Sequence, residues 1–295
     1  MRNPRVAIII LNYNGAVDTI NCVRSVSKND YSNFEIIIVD NNSKVQDVSE
    51  IKRAFPDIKL IENKTNLGYA KGNNIGISWS QKQNFNYFLI LNNDVVVTHG
   101  FLNGLMRTIG GKNVGICGPK TLYFHNKKII NAAGGEIDWR LGEPRCIGHL
   151  QKDNGQLDKQ KEVEFLPGSC LLIKKEVFDK IGFLPTDYFF GFEDVDFCLR
   201  AKKAGFKIVF VPNSVIYHKE SISIGQNSPL KDYYYFRNCL IFMKRWVKSP
   251  EWYKFLLFYH LKILKTIFKY LVSGRFANVK AIKTGCLDFW RQKYD

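Results

Sequence analysis

Over the first 118 residues, short β-rich runs alternate with segments of helical period, and several of the runs are apolar at consecutive positions. Strands covered on both faces read as near-continuous Val, Ile and Leu, and their alternation with helices argues βαβ units and a mostly parallel sheet. The pattern predicts strands over residues 6–11, 35–40, 58–62, 87–91 and 115–117, with helices over 16–28, 45–54, 69–81 and 100–109. Three strands run directly into polar, helix-opening sequence: Asn12-Tyr13-Asn14-Gly15, Asp40-Asn41-Asn42-Ser43 and Asn92-Asn93-Asp94. Open parallel sheets bind ligands outside the carboxyl ends of their strands, so one crevice can receive all three.

The run YFLILNNDVVV carries the most information. A carboxylate at the end of a buried strand must be paired, metal-bound or exposed in a crevice. A polar turn whose side chains cap the next segment explains the same residues. Residues 119–170 are rich in Gly and isolated polar positions and predict irregular strands and loops, either shaping an acceptor site or forming a plain surface excursion. A buried strand, a turn and a short helix follow, and GFEDVDFCLRAKKAGFKIVFVP predicts a further helix and strand. That helix opens with Glu193, Asp194 and Asp196 after an aromatic loop. Acids at a helix start are ordinary caps, yet three carboxylates in four residues repel one another, which capping does not require.

The segment from 230 to 295 is helical in pattern. In residues 251–272, Lys254, Lys262, Lys265 and Lys269 fall within about 80° of one another on a helical projection, and the remainder is apolar or aromatic. Such a helix fits a membrane interface, with lysine stems snorkelling and Trp252, Tyr253 and Tyr259 near headgroups. A helix packed on the body of the protein or in a homodimer fits it too. From Lys231 onward there are 14 Lys/Arg against 4 Asp/Glu, so much of the net charge of +16 lies in this tail, which calls for an anionic partner.

A chain of 295 residues accommodates one large α/β domain with an appendage, and 45% hydrophobic with 24% charged residues excludes disorder. The seven cysteines form no close pair and read as buried thiols in a reducing compartment. The first apolar run stops after six residues without a cleavage site, and no uncharged stretch is long enough to span a bilayer. The expectation is a cytoplasmic protein at the inner face of the cell membrane.

The motifs VAIIILNYNG, IIIVDNNS, NLGYAKGNNIG, FLILNNDVVV and GFEDVDFCLR, followed by Tyr217-His218, occur in one order across residues 5–220. In that order they resemble the inverting family 2 glycosyltransferases of the GT-A fold, and within them the bacterial rhamnosyltransferase-like branch, whose members typically use dTDP-sugars in making surface polysaccharide. The resemblance implies an α/β GT-A fold: a Rossmann-like, mostly parallel central sheet flanked by helices, over residues 1–225, with a basic helical extension over 226–295. It implies a dTDP- or UDP-sugar donor, a glycan or lipid-linked acceptor, and Mg2+ or Mn2+.

By the same resemblance Asp94 and His218 hold the cation. The usual Asp-x-Asp is broken, since Asn92 stands first; it can still bond a ribose hydroxyl but adds no charge. Asp40 can accept from a pyrimidine N–H, with Asn12, Tyr13, Asn14 and Asn42 around the base; Asp40 as a helix cap is the alternative. Asn66 and Gly68 shape a turn at a helix mouth that favours anions, and Lys71, Asn73 and Asn93 add donor contacts; a structural turn explains the same glycines. Asp194 is the implied general base, Glu193 positions the acceptor, and Asp196 is the fallback base. Arg237-Asn238, after the Tyr233-Tyr234-Tyr235-Phe236 run, resembles a positively charged acceptor or phosphate contact; helix packing explains the same Arg equally.

Rival functions are weaker. A nucleotidyltransferase needs a basic Gly-rich loop after the first strand, and LNYNGAVDT has neither Lys nor Arg. An inactive sugar-nucleotide scaffold remains an alternative, while a nucleic-acid partner lacks any recognised motif.

Overall fold

The computed structural model describes residues 4–220 and 228–293. In chain order these form β1 (Val6–Asn12), α1 (Ala16–Ser27), β2 (Phe34–Asp40), α2 (Val45–Ala54), β3 (Lys59–Glu62), α3 (Gly68–Gln81), β4 (Tyr87–Asn92), β5 (Val95–Val97) and α4 (Phe101–Ile109). There follow β6 (Val114–Tyr123), β7 (Ile130–Ala132), β8 (Gly135–Asp138), β9 (Glu143–Cys146), β10 (Lys161–Glu162) and β11 (Cys170–Lys174). The chain continues through α5 (Lys175–Ile181), α6 (Glu193–Lys203), β12 (Lys207–His218), α7 (Pro229–Trp246), α8 (Glu251–Val272) and α9 (Phe276–Trp290).

The main sheet has the order β10-β12-β6-β11-β4-β1-β2-β3. Pairings set β3, β2, β1, β4, β6 and β12 in one direction and β11 and β10 against them. The sheet is therefore mostly parallel, as the alternating pattern predicts. Register places Asn12 beside Asp40 and Leu11 beside Asn92, so the three polar strand ends share one edge. Alternation divides the apolar residues between the faces. Ile9, Ile37, Val39, Phe88 and Ile90 pack beneath α3, α6 and α7, while Ile8, Ile10, Ile38 and Leu91 pack beneath α1 and α4.

Beyond the predicted elements, β6 extends six residues past position 117, and β5 separates from β4 as its own strand paired with β12. The Asn93-Asp94 turn breaks the run because the chain leaves β4 and returns along the end of β12. The irregular middle contains the hairpin β8–β9. The expected boundary between 225 and 226 lies outside the described residues. Past it, α7 contributes Phe236, Leu240 and Phe242 to the same apolar cluster as Ile9 and Phe88.

Helix α8 corrects the expected lysine stripe. Lys262 turns inward to Glu143 and the Tyr235 hydroxyl, and Trp252 and Tyr259 are buried against the body, leaving Tyr253 alone of the three aromatics outside. Its outward face is Tyr253, Leu257, Leu261, Leu264 and Phe268, bordered by exposed Lys254, Lys265 and Lys269. Among the described residues no helix is long and apolar enough to cross a membrane.

Close packing of α3 on the sheet depends on Gly76, where a Cβ would lie 2.7 Å from Ile9 Cγ2 and 2.9 Å from Val39 Cγ2. Those methyls belong to β-branched residues in central strands and cannot swing away. Gly76→Val is expected to cost about 1–3 kcal/mol by overpacking, read as a lower urea midpoint at unchanged slope. An unchanged midpoint would mean that α3 shifts freely on the sheet.

Candidate active site

The three polar strand ends form one hydrogen-bond chain. Asn93 Nδ2 donates to Thr19 Oγ1 (3.1 Å), Thr19 Oγ1 to Asn12 Oδ1 (2.7 Å), and Asn12 Nδ2 to Asp40 Oδ1 (2.8 Å) and Asp47 Oδ2 (2.9 Å). Asp40 Oδ2 accepts from the Ser43 amide at 2.9 Å. With Asn12 fully buried and Asp40 only 2% exposed, this pair forms the floor of the crevice. Tyr13, Asn14 and Asn42 lie exposed above it, the last two with left-handed φ of 51° and 67°.

Several residues expected to face the donor are turned inward instead. Asn66 Oδ1 accepts from the Gly68 amide (3.0 Å) and from Asn41 Nδ2 (2.8 Å). The Tyr69 amide donates to Phe189 O (2.9 Å), so the first two amides of α3 already have protein partners. Gly68 has φ +77°, and a Cβ there would sit 2.5 Å from Phe189 O, so glycine is required by contact and conformation together. Asn73 is fully buried with Nδ2 on Tyr69 O, on the inner face of α3. Lys71, two positions before it, is half-buried. Asn41 is the organiser that the sequence did not distinguish from Asn42: its side chain bonds Asn66, Gly68 O, Asn63 and the Leu67 amide.

At the far side of the crevice, Asp94 and His218 meet with Oδ1 and Nε2 3.2 Å apart. The β5–β12 pairing creates this meeting by laying His218 beside Val95. His218 Nδ1 is buried with no hydrogen-bond partner among the described residues, and the ring meets Asp94 through Nε2. One carboxylate and one imidazole suit a divalent cation whose other ligands are water and phosphate oxygens. Lys219, not singled out by the sequence, donates its amide to Asp94 O (3.0 Å) and its ammonium to Asp18 (2.6 Å).

The third locus is the start of α6. Asp194 Oδ2 accepts from the Gly168 amide at 2.7 Å, and Oδ1 from the Val195 amide at 2.8 Å. Gly168 O accepts from the Tyr69 hydroxyl (2.6 Å), and the adjoining Ser169 O accepts from the Asn92 amide (3.0 Å). Asp194 and the end of β4 are thus fixed to two consecutive residues of one corner. Glu193 is buried, and its Oε2 has no partner among the described residues. Just before it, Phe192 adopts a left-handed φ of +76°, a conformation that costs a bulky residue about 1–3 kcal/mol. Asp196 is corrected from fallback base to structural anchor: it is fully buried and bonded by Tyr188 Oη (2.9 Å), Trp246 Nε1 (3.2 Å) and the Arg245 guanidinium. Arg237 is likewise buried, its guanidinium over the rings of Tyr233 and Tyr234.

A known family matches the part of the chain that carries the three strand ends and Asp94, while Glu193, Asp194 and His218 lie beyond the matched residues. The family model described as "Glycosyl transferase family 2" aligns with residues 7–182. The chain belongs to that family. Among curated relatives, a low-salt glycan biosynthesis hexosyltransferase of Haloferax volcanii is 30% identical, covering 69% of this chain and 63% of that protein. A dTDP-rhamnosyl transferase of Shigella flexneri is 23% identical over 82% and 81%. An N-acetylglucosaminyl-diphospho-decaprenol L-rhamnosyltransferase of Mycobacterium tuberculosis is 24% identical over 65% and 68%. The chain spans 28% of a longer, uncharacterised relative from Sinorhizobium fredii. A mannosyltransferase from Pyrobaculum calidifontis, solved with GDP-Man and Mn2+, superposes with a TM-score of 0.59 at 16% identity, over 97% of this chain and 74% of that one. The GT-A architecture is therefore shared.

In this family 2 glycosyltransferase, burial raises Glu193 to about 8, with the neighbouring Asp194 charge adding to it. Burial also raises Asp194, while the Gly168 and Val195 amides hold it back. Tyr69 is pushed well above the usual phenol range, by burial first and then by Glu193 and Asp194, with Cys170 and Asp94 also contributing. Both carboxylate loci are thus felt at one hydroxyl. A raised folded-state pKa means that the folded protein holds a proton that the unfolded chain has lost. The Glu193 contribution to stability accordingly declines as pH rises from about 4.5 toward about 8. Over that window the wild-type Tm is expected to fall relative to Glu193→Gln; parallel Tm profiles would show that Glu193 is hydrated.

Proposed function

We propose that this enzyme transfers a sugar, with inversion, from a nucleotide diphosphate donor to a hydroxyl of a glycan or lipid-linked acceptor in surface polysaccharide synthesis. The donor is dTDP-rhamnose or a UDP-sugar, and the cation is Mg2+ or Mn2+. One observation carries this reading: the Asp94–His218 edge and the Glu193–Asp194 edge are joined through Asn92, Ser169 and Gly168, so that departure and attack can occur across one sugar ring. The dTDP-rhamnosyl and N-acetylglucosaminyl-diphospho-lipid specificities named for two relatives support this choice of donor and acceptor, and the neighbour bound to Mn2+ supports the cation.

Tyr13, Asn14 and Asn42 hold the base and ribose above the Asn12–Asp40 floor, while Lys71, Asn92 and Asn93 contact the ribose and diphosphate. Asp94 and His218 hold the cation, which when bound neutralises charge on the departing diphosphate. Asp194 accepts the acceptor hydroxyl proton as that oxygen attacks the anomeric carbon. Glu193, protonated near neutrality, orients the acceptor by donating a hydrogen bond. Displacement is in line, and no covalent intermediate on the protein is needed. Asp194→Asn is expected to keep nucleotide affinity and lower transfer by about 10²–10⁴-fold, the usual contribution of a general base. Asp94→Ala is expected to abolish the gain in dTDP or UDP affinity on adding Mn2+. Full transfer by the first variant, or an intact metal response in the second, rejects the assignment.

The helical extension from 226 to 295 is proposed as a peripheral contact with anionic lipid at the inner membrane face. The outward Leu257, Leu261, Leu264 and Phe268 enter the interface and Lys254, Lys265 and Lys269 meet headgroups. Leu261→Asp with Leu264→Asp is expected to reduce partitioning onto phosphatidylglycerol vesicles by about 10²-fold or more. Undiminished binding, or a wild-type dimer in sedimentation that these changes dissolve, assigns the face to another role.

A further inference from the structure

The loop carrying the acid pair is gripped along its length by one helix, and that helix lies outside the segment that the family model covers. Asn238 Nδ2 donates to both Phe190 O and Gly191 O at 3.0 Å. Tyr234 stacks on Phe189, with centroids 5.2 Å apart and planes at 11°. Phe242 and Tyr235 close on Phe192 at 5.5 and 5.9 Å. At the end of the helix, Arg245 reaches Asp187 as well as Asp196, and Trp246 Nε1 reaches Asp196. Every residue from Asp187 to Phe192 is bonded to or stacked with α7 directly; at Tyr188 the Arg245 guanidinium lies over the ring, and the hydroxyl is joined to α7 through Asp196 as well.

This grip bears on the catalytic acids because of where it lies. Phe192 holds a left-handed backbone conformation that a bulky side chain does not keep unless its surroundings enforce it. Its ψ sets the direction in which Glu193 and Asp194 leave the loop. Phe189 O, in the same loop, caps the Tyr69 amide, so the loop also fixes the mouth of α3. We propose that α7 is the clamp of the acceptor-activating loop, with Asn238, Arg245 and Trp246 as positioning residues that set Glu193 and Asp194 without touching substrate. The functional part of this inference rests on Asp194 as the base; the clamp itself does not.

Two conservative lesions of the full-length protein test it. Asn238→Ala removes both carbonyl contacts together with the acceptor of Arg237 Nε, and Trp246→Phe removes the indole N–H to Asp196 while keeping an aromatic ring in place. Three quantities are read: amide hydrogen exchange over 187–195 against β1 and β4; dTDP affinity; and acceptor KM, with dTDP-rhamnose and an N-acetylglucosaminyl-diphospho-lipid as probes. The expected result is loop exchange at least tenfold faster, with the sheet strands and dTDP affinity unchanged and acceptor KM raised several-fold. Loop exchange that stays at the wild-type rate, or rises only in step with β1 and β4, overturns the clamp. Faster loop exchange with unaltered acceptor KM and kcat overturns the positioning role. Full activity of Asp194→Asn would instead reject the base assignment while leaving the exchange result standing.

Discussion

The corner formed by Gly168 and Ser169 is the constraint on which the site depends. A backbone amide and a backbone carbonyl from consecutive residues point to opposite partners, one to the Asp194 carboxylate and the other to the amide at the end of β4. Side chains on two distant elements are thereby placed by the least adjustable atoms in the protein. The Tyr69 hydroxyl closes the same corner onto α3. An acid needing a raised pKa must be withdrawn from water, yet a withdrawn carboxylate must still be stabilised enough to ionise. The Gly168 and Val195 amides meet the second need and burial meets the first. Asp194 keeps its ability to take a proton. At Glu193 the Gly191 amide and its own are outweighed by burial and by the neighbouring Asp194 charge, so Glu193 is the member that holds a proton.

Much of the fold was legible because the signals are local and redundant. Unbroken Val and Ile runs can hardly be anything but interior strands, and the polar tripeptides at their ends can only collect at one edge once those strands lie parallel. What failed were choices between residues of equal chemistry. Asn41 and Asn42 are indistinguishable in sequence; the left-handed turn at Asn42 sends one inward and the other to solvent. Asn66 and Gly68 read as an anion cradle because the carbonyl of Phe189, more than a hundred residues away, cannot be foreseen as the occupant of those amides. Among the three acids of α6, helical geometry alone separates Asp194 from Asp196, which are two positions apart and so face roughly opposite ways. The aromatic Asp187–Phe192 loop and the Tyr-rich start of α7 are both conspicuous in sequence, but nothing there states that they stack on each other.

The same limit applies to α8. A helical projection finds an apolar arc but does not say which part of it the body covers, since aromatics occupy both sides. The partner that turns Lys262 inward is Glu143, in a hairpin the sequence presents as irregular. Covering Trp252, Phe255 and Tyr259 leaves a second apolar face outward, so the helix is sandwiched between the protein and whatever lies beyond it.

Chemistry favours a bilayer over a second copy as that outer layer. A row of exposed Leu and Phe along about four turns exceeds the scattered apolar exposure tolerated on a monomer. A two-fold contact through this face would gather the lysines of both copies near one seam, and among its exposed neighbours on α8 only Glu251 carries an opposing charge. The proposed anionic interface has no such conflict: the row would enter the acyl boundary while the lysine stems, all on one flank, would reach headgroup phosphates. Because α7 packs against α8 through Tyr259 and Phe236 and against the acid loop through Asn238, the surface proposed to meet lipid and the loop proposed to activate the acceptor are connected through one helix. A lipid-linked acceptor diffusing in the membrane plane would then meet the base at a height set by the protein rather than by chance orientation.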